Sequence, residues 1–194
     1  APPSLDRGSV DVRKELKLDR PYLLHVGTLE PRKNHAFLVE VFDRLEHFDG
    51  ELLLCGMAGW QTEPIQRAMQ SSKKAARIRH LNYVTDAQLA GLYQDAEALL
   101  FPSLYEGFGL PPVEAMRQGC PVISSDRGSL PEVVGKGGKV LPLELDAWVH
   151  AVERLLGNPA ERADLIAAGR RRVFDFSWER CAEETWQVYR ELAT

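Results

Sequence analysis

Short apolar runs and amphipathic stretches alternate along most of this chain. Tyr22 to Val26, Leu52 to Cys55, Ala98 to Phe101 and Pro121 to Ser124 read as buried strands, with Arg77 to Tyr83 a weaker strand and Lys139 to Leu141 a short last one. Between them the spacing predicts helices. Phe37, Leu38, Val41, Phe42 and Leu45 share a face behind Asn34, which can cap them; another helix runs from about Pro64 to Ser72. Thr85 or Asp86 starts a helix with Leu89, Leu92 and Tyr93 as its stripe, and Leu130 to Val134 is a short one. Past Leu141 the period stays helical: Leu145, Trp148, Val149, Val152, Leu155 and Leu156 lead to the stop at Gly157-Asn158-Pro159. A helix from Ala160 to about Phe174 follows, then one capped at Ser177 with Trp178, Cys181, Thr185, Val188, Tyr189 and Leu192 along one side. Residues 1 to 20 read as a polar lead-in with a short helix around Asp11 to Leu18. This alternation predicts an α/β fold, a doubly wound parallel sheet.

In such a fold, ligands sit outside the carboxyl ends of the strands, and three loops there carry the chemistry: 27 to 34, 56 to 60 and 102 to 114. The last places Glu106 and Glu114 with seven residues between them. In one continuous helix they would be about 12 Å apart along the axis and about 80° apart around it, useless as a pair. Gly107, Gly109, Pro111 and Pro112 exclude that helix. The remaining reading is a mobile glycine loop carrying Glu106, then a helix that starts at Pro111 or Pro112 with Glu114 in its first turn. The free N–H groups and positive dipole end of such a helix start favour a phosphate. Arg32 and Lys33, in a loop after a strand, suit a diphosphate. Glu114 can accept from a vicinal diol such as a ribose, and Glu106 can face a sugar.

Each feature also has a structural reading: Glu114 as a helix cap, His25 as a core histidine rather than a base, Trp60 and Phe108 as packing rather than stacking platforms. Arg170, Arg171 and Arg172 read as a solvated helix face or a contact to a neighbouring domain. Paired carboxylates also fit glycoside hydrolysis, though hydrolases do not need the cations at 32 and 33.

Bulk composition narrows the partners. The chain has 194 residues, 44% apolar and 27% charged, with a net charge of −4. That predicts one folded domain with no basic field for nucleic acid or anionic membranes. No apolar run reaches membrane-span length and no signal peptide is recognisable, so a cytoplasmic location is expected. Cys55, Cys120 and Cys181 read as reduced, buried thiols, and no histidine or cysteine spacing matches a metal site. The start at Ala1-Pro2-Pro3 reads as that of an excised piece.

Taken together, Gly27-Thr28-Leu29-Glu30-Pro31-Arg32-Lys33-Asn34, the stretch Pro102 to Pro111, Glu114-Ala115-Met116, Gly119 to Ile123 and Leu130-Pro131-Glu132-Val133 resemble the glycosyl transferases group 1 family. These are retaining enzymes of the GT-B type, with two Rossmann-like domains facing a cleft. The resemblance spans about Pro21 to Tyr189 and implies the C-terminal, donor-binding half. It divides the chain into a lead-in from a missing N-terminal domain (1–20), a Rossmann-like nucleotide-sugar binding domain (21–176) and a C-terminal helix (177–194). By resemblance, Glu106 and Glu114 match the family's Glu-x7-Glu motif. Glu114 then holds the donor ribose, while Glu106 and the backbone of Gly107, Phe108, Gly109 and Leu110 face the sugar and phosphates. Arg32 and Lys33, beside Gly27, stabilise the leaving diphosphate without a metal or cofactor. Asn82, Tyr83 and Val84 match the place where the base meets the backbone. Thr28 departs from the arginine found there in many members, which leaves the phosphates to Arg32 and Lys33. The motif Gly-Thr-Leu-Glu-Pro-Arg-Lys-Asn is frequent in mannosyltransferases, making GDP-mannose the first expected donor. The implied partners are the nucleotide sugar and the acceptor-binding N-terminal half, through which any membrane contact would run. The alternative is a nucleotide-binding or scaffold domain without catalysis.

Overall fold

The computed structural model describes residues 6, 8 and 10–193. Its centre is a six-stranded sheet in the order β3-β2-β1-β4-β5-β6, with every pairing parallel. The strands are β1 (Tyr22–Val26), β2 (Glu51–Cys55), β3 (Ile78–Leu81), β4 (Ala98–Phe101), β5 (Val122–Ser125) and β6 (Lys139–Leu141). The helices are α1 (Val12–Leu16), α2 (His35–Arg44), α3 (Glu63–Ser71), α4 (Asp86–Asp95), α5 (Leu110–Gln118), α6 (Leu130–Val134), α7 (Leu145–Gly157), α8 (Pro159–Val173) and α9 (Trp178–Leu192).

Strands β2, β4 and β5 are buried on successive residues because helices cover both faces of the sheet. Leu24, Leu53, Leu99 and Val122 point to the layer of α1, α4, α5 and α6, where Leu92, Tyr93, Val113 and Met116 meet them. Leu23, Leu52, Leu54, Leu100 and Ile123 point to the layer of α2 and α7, against Leu38, Phe42, Trp148 and Val152. Side chains alternate along a strand, so each strand feeds both cores. The strand order reverses between β1 and β4. After β1 the chain winds outward through β2 and β3, then returns through α4 to the other flank of β1. The loops leaving β1 and β4 therefore part over a shared crevice.

Several boundaries differ from the sequence reading for identifiable reasons. Asn34 sits at φ 57°, ψ 43° and makes no side-chain cap, so it turns the chain into α2 through its backbone alone. The lead-in is only partly polar: Val12 and Leu18 are buried in the α4-side core, and Arg13 donates to Asp95 O at 3.3 Å. Residues 1–5, 7 and 9 of that lead-in, and Thr194 at the far end, lie outside the described residues. Cys55 and Cys120 are buried, which pushes their thiols up to about 12, whereas Cys181 is exposed on α9. The arginine run on α8 is divided. Arg172 donates to Glu132 O (2.6 Å) and Val133 O (3.1 Å), pairs with Asp175 (2.6 Å) and covers the Phe176 ring. It clamps α8 to α6, while Arg170 and Arg171 remain exposed. The predicted apolar side of α9 forms at the predicted spacing, with the Ser177 cap, but no residue of α9 is buried. Among the described residues, no helix is long and apolar enough to cross a membrane.

Candidate active site

The loop after β1 is built by continuing the sheet's pairing past its end. Gly27 N–H donates to Cys55 O, and Leu29 N–H donates to Met57 O, each at 2.9 Å. Pro31 then opens a single 3-10 turn, Pro31–Lys33, that brings both cations round toward β4. A Cβ on Gly27 would lie 3.1 Å from Lys33 Cε, so the missing side chain at 27 is the room that the lysine stem occupies. Leu104 N–H donates to Arg32 O at 2.8 Å, which fastens the β4 loop to the β1 loop across the crevice.

That fastening brings Arg32, Lys33 and Glu106 together. Lys33 Nζ lies 2.7 Å from Glu106 Oε1 and Arg32 Nη1 lies 2.9 Å from Oε2. The other terminal arginine nitrogen, Nη2, meets Glu30 Oε1 at 2.6 Å, and Trp60 Nε1 donates to Glu30 Oε2 at 3.3 Å. The lysine and Glu106 side chains are only 9% and 8% exposed. Burial pushes the Glu106 carboxyl up, but Lys33 and Arg32 outweigh it and hold its pKa below the usual carboxylate range. Burial lowers the Arg32 pKa and Glu106 and Glu30 raise it, the carboxylates prevailing.

The lysine ammonium stands 5.0 Å over the Phe101 ring, which stacks on His25, and His35 meets His25 edge-on at 4.5 Å. His25 donates from Nδ1 to Leu100 O at 2.9 Å. Burial above all lowers the two histidines to about 4 and about 2, so both are neutral at physiological pH. They are core residues under the charge cluster.

Glu106 is not on a loose loop. It is buried, the single Ser129 hydroxyl proton is shared between Phe108 O (2.7 Å) and Glu106 O (3.1 Å), and Ser129 N–H also reaches Glu106 O at 3.3 Å. Phe108 packs edge-on against Phe176 at 5.6 Å, the packing reading, although 45% of it is exposed. Gly109 takes φ 99°, which a side chain would resist, and hands the chain to α5 at Leu110, one residue earlier than predicted. The first turn therefore contains both prolines and no acid, and Glu114 stands in the second turn. Two of the expected free N–H groups do not exist, leaving the backbone from Gly107 to Leu110 as the donor set. Glu114 Oε2 accepts from Tyr93 O–H at 3.0 Å. Burial raises the Glu114 carboxyl pKa, against the pull of that hydrogen bond, and raises the Tyr93 phenol. Tyr83 is exposed and Val84 half-buried in the loop after β3, a strand that β2 separates from β1.

Sequence reasoning missed the residues that bind the site together. Glu30 was visible as an acid two positions from Arg32. Ser129, Phe101 and Tyr93 carried no signal, because each acts through a contact made only after the sheet forms. Two cavities lie beside this cluster. One of about 530 Å³ is lined by Arg117, Arg170, Val173, Phe174, Phe176 and Ser177, and one of about 220 Å³ opens behind Gly107 and Phe108 next to Ser129 and Arg172.

The sequence profile of the family described as Glycosyl transferases group 1 matches residues 8–172. The chain belongs to that family. It is 38% identical to the O-antigen chain mannosyltransferase B of Escherichia coli over 88% of this chain and 46% of that protein. The sucrose-phosphate synthase structure from Thermosynechococcus elongatus superimposes with a TM-score of 0.83 at 32% identity, over 97% of this chain and 50% of the other. Anabaena HepE in complex with UDP and glucose shares the fold at a TM-score of 0.83 and 17% identity, over 98% of this chain and 53% of the other. The chain thus spans about half the length of these GT-B relatives. Membership of the glycosyltransferase family weighs against the hydrolase reading and does not favour a scaffold without catalysis.

Proposed function

We propose that this chain is the donor-binding half of a retaining, metal-independent glycosyltransferase whose donor is a nucleoside diphosphate sugar, with GDP-mannose first in line. The observation that carries the reading is the convergence of Arg32 and Lys33 on one anionic group at the crevice between the β1 and β4 loops. Two fixed cations there can take the charge that grows on a departing diphosphate, the role a metal has in other sites. The mannosyltransferase name of the Escherichia coli relative supports mannose, and HepE, which shares the fold, is itself in complex with UDP and glucose.

In this reading Glu106 and the Gly107–Leu110 backbone face the sugar and phosphates. Glu114 receives the ribose hydroxyls, and Tyr83 with Val84 border the base. Acceptor contacts come from an N-terminal half opposite, with residues 21–176 as the donor domain, and the protein works in the cytoplasm.

Calorimetric titration with GDP and UDP in the presence of a chelator tests the donor site. Heat with at least one nucleotide is expected; silence with both, and with GDP-mannose and UDP-glucose as well, rejects it.

A further inference from the structure

Arg32 and Lys33 already hold an anion, the Glu106 carboxylate. Each carboxylate oxygen takes one cation, at 2.7 Å and 2.9 Å, and the lysine side of the pair is almost fully enclosed. Glu30 engages the second arginine nitrogen at 2.6 Å. Two carboxylates therefore balance two cations, and the cluster has no net charge to offer an incoming phosphate. Glu30 divides its carboxylate oxygens between Arg32 and Trp60, and among the described residues its carboxylate makes no ion pair with the Lys33 ammonium. Glu106 is the residue whose departure would uncover both cations.

A carboxylate that leaves these partners inside a buried site needs new donors, or its desolvation goes uncompensated. A sugar lying beside it supplies O–H groups. Inorganic pyrophosphate has no sugar to place there, and in a bare nucleoside diphosphate the ribose hydroxyls go to Glu114 in this reading, so neither offers a sugar hydroxyl beside Glu106.

We propose that Glu106 is an internal competitor for the phosphate position, released by the hydroxyls of a sugar, so that the site selects sugar-bearing nucleotides over bare anions of similar charge. This rests on reading Arg32 and Lys33 as the diphosphate clamp. It gives Glu106 opposite effects on the two ligand classes: it opposes the bare anion, and it binds the sugar of the donor.

The test is calorimetry on the chain, Glu106→Gln and Glu30→Gln, with inorganic pyrophosphate, GDP, UDP, GDP-mannose and UDP-glucose. Glu106→Gln should bind the bare anions about ten- to a hundredfold more tightly, the span of a charge-assisted hydrogen bond. Its preference for the sugar-bearing over the bare nucleotide should fall by at least about tenfold. Glu30→Gln removes the same charge from the same cluster but leaves Lys33 covered, and should gain less than about threefold. Should Glu106→Gln fail to fold, Glu106→Asp serves instead: its shorter arm cannot span both cations, so it too must gain affinity for pyrophosphate.

Unchanged or weaker binding of bare anions by the Glu106 variants overturns the proposal, as does an equal gain in Glu30→Gln, which would reduce the effect to net charge. If no form binds any nucleotide or nucleotide sugar, the donor-site reading falls and the selection proposed for Glu106 falls with it, even where Glu106→Gln gains pyrophosphate. If nothing binds to any form, both fall.

Discussion

The β4 loop buries one glutamate and the helix behind it half-buries another, and they do so with opposite electrostatic results. Glu106 loses water but gains two cations, and its pKa ends below the ordinary value. Glu114 loses water and gains only the neutral Tyr93 hydroxyl, and its pKa ends above that value. The motif spacing treats the two acids as a pair. Their surroundings make one a fixed anion and the other a group that resists ionisation, because desolvation is common to both and compensation is not.

The sharpest way to break the contrast is to remove the lysine. Lys33→Ala leaves the enclosed Glu106 carboxylate with Arg32 as its remaining cation. Breaking a buried pair from one side costs about 3–5 kcal/mol, and the surviving arginine places this case near the lower end. Urea denaturation reads the loss. The double variant Lys33→Met, Glu106→Gln should recover most of it, since no buried charge is then abandoned. In calorimetry Lys33→Ala should weaken nucleoside diphosphate binding by about ten- to a hundredfold. A stability loss below about 1 kcal/mol would mean that the pair is more hydrated than its burial indicates.

A second experiment sets the two acids against each other by pH. The folded pKa of Glu106 is depressed, so its contribution is complete above the ordinary glutamate value of 4.5 and fades as the pH falls through the folded value. Glu106→Gln should therefore destabilise at pH 7, by about 1–3 kcal/mol, and the deficit should shrink on acidification. The folded pKa of Glu114 is raised, so its contribution is favourable below 4.5 and is lost as the pH rises through the folded value. Glu114→Gln should cost nothing at pH 7 and add stability there. Melting curves from pH 2 to pH 8 would show difference curves of opposite slope, below pH 4.5 for Glu106→Gln and above it for Glu114→Gln. Parallel curves would refute the contrast.

Much of the fold was legible because it depends on patterns that local residues carry. β4, β6 and α6 fall where their apolar residues put them, and the Thr85 and Ser177 caps form. The candidate site was legible as residue types, since Arg32, Lys33 and Glu106 lie in the loops after β1 and β4 and Glu114 in the helix that follows, yet their partnership was not. Periodicity carries no sign of which cation meets which acid across the reversal in strand order. It was also silent on α9, whose apolar side is regular but uncovered: spacing tells where a face lies and nothing about whether a neighbour exists. Adjacency explains the reversal at Glu106 as well. Read alone as a sugar-facing acid, it should not affect a bare nucleotide; held between Arg32 and Lys33, it should oppose one.

The smallest expected effect isolates the Glu114 side, and it asks whether the two regions recognise different parts of one ligand. Tyr93→Phe deletes a single hydroxyl that donates to Glu114 at 3.0 Å, a loss of about 0.5–1.5 kcal/mol. That bond favours the ionised carboxylate, so without it the Glu114 pKa should climb further. The variant's deficit should accordingly be larger at pH 8 than at pH 5. In the proposed site the tyrosine also aims Glu114 at the ribose, and pyrophosphate has no ribose. Placed in a Glu106→Gln background, where bare anions are expected to bind well, Tyr93→Phe should weaken GDP by about three- to tenfold and leave pyrophosphate unchanged. Equal losses for both ligands would mean that the hydroxyl supports the whole crevice. No loss for either would remove Glu114 from the nucleoside and leave the charge cluster at β1 and β4 as the entire anchor.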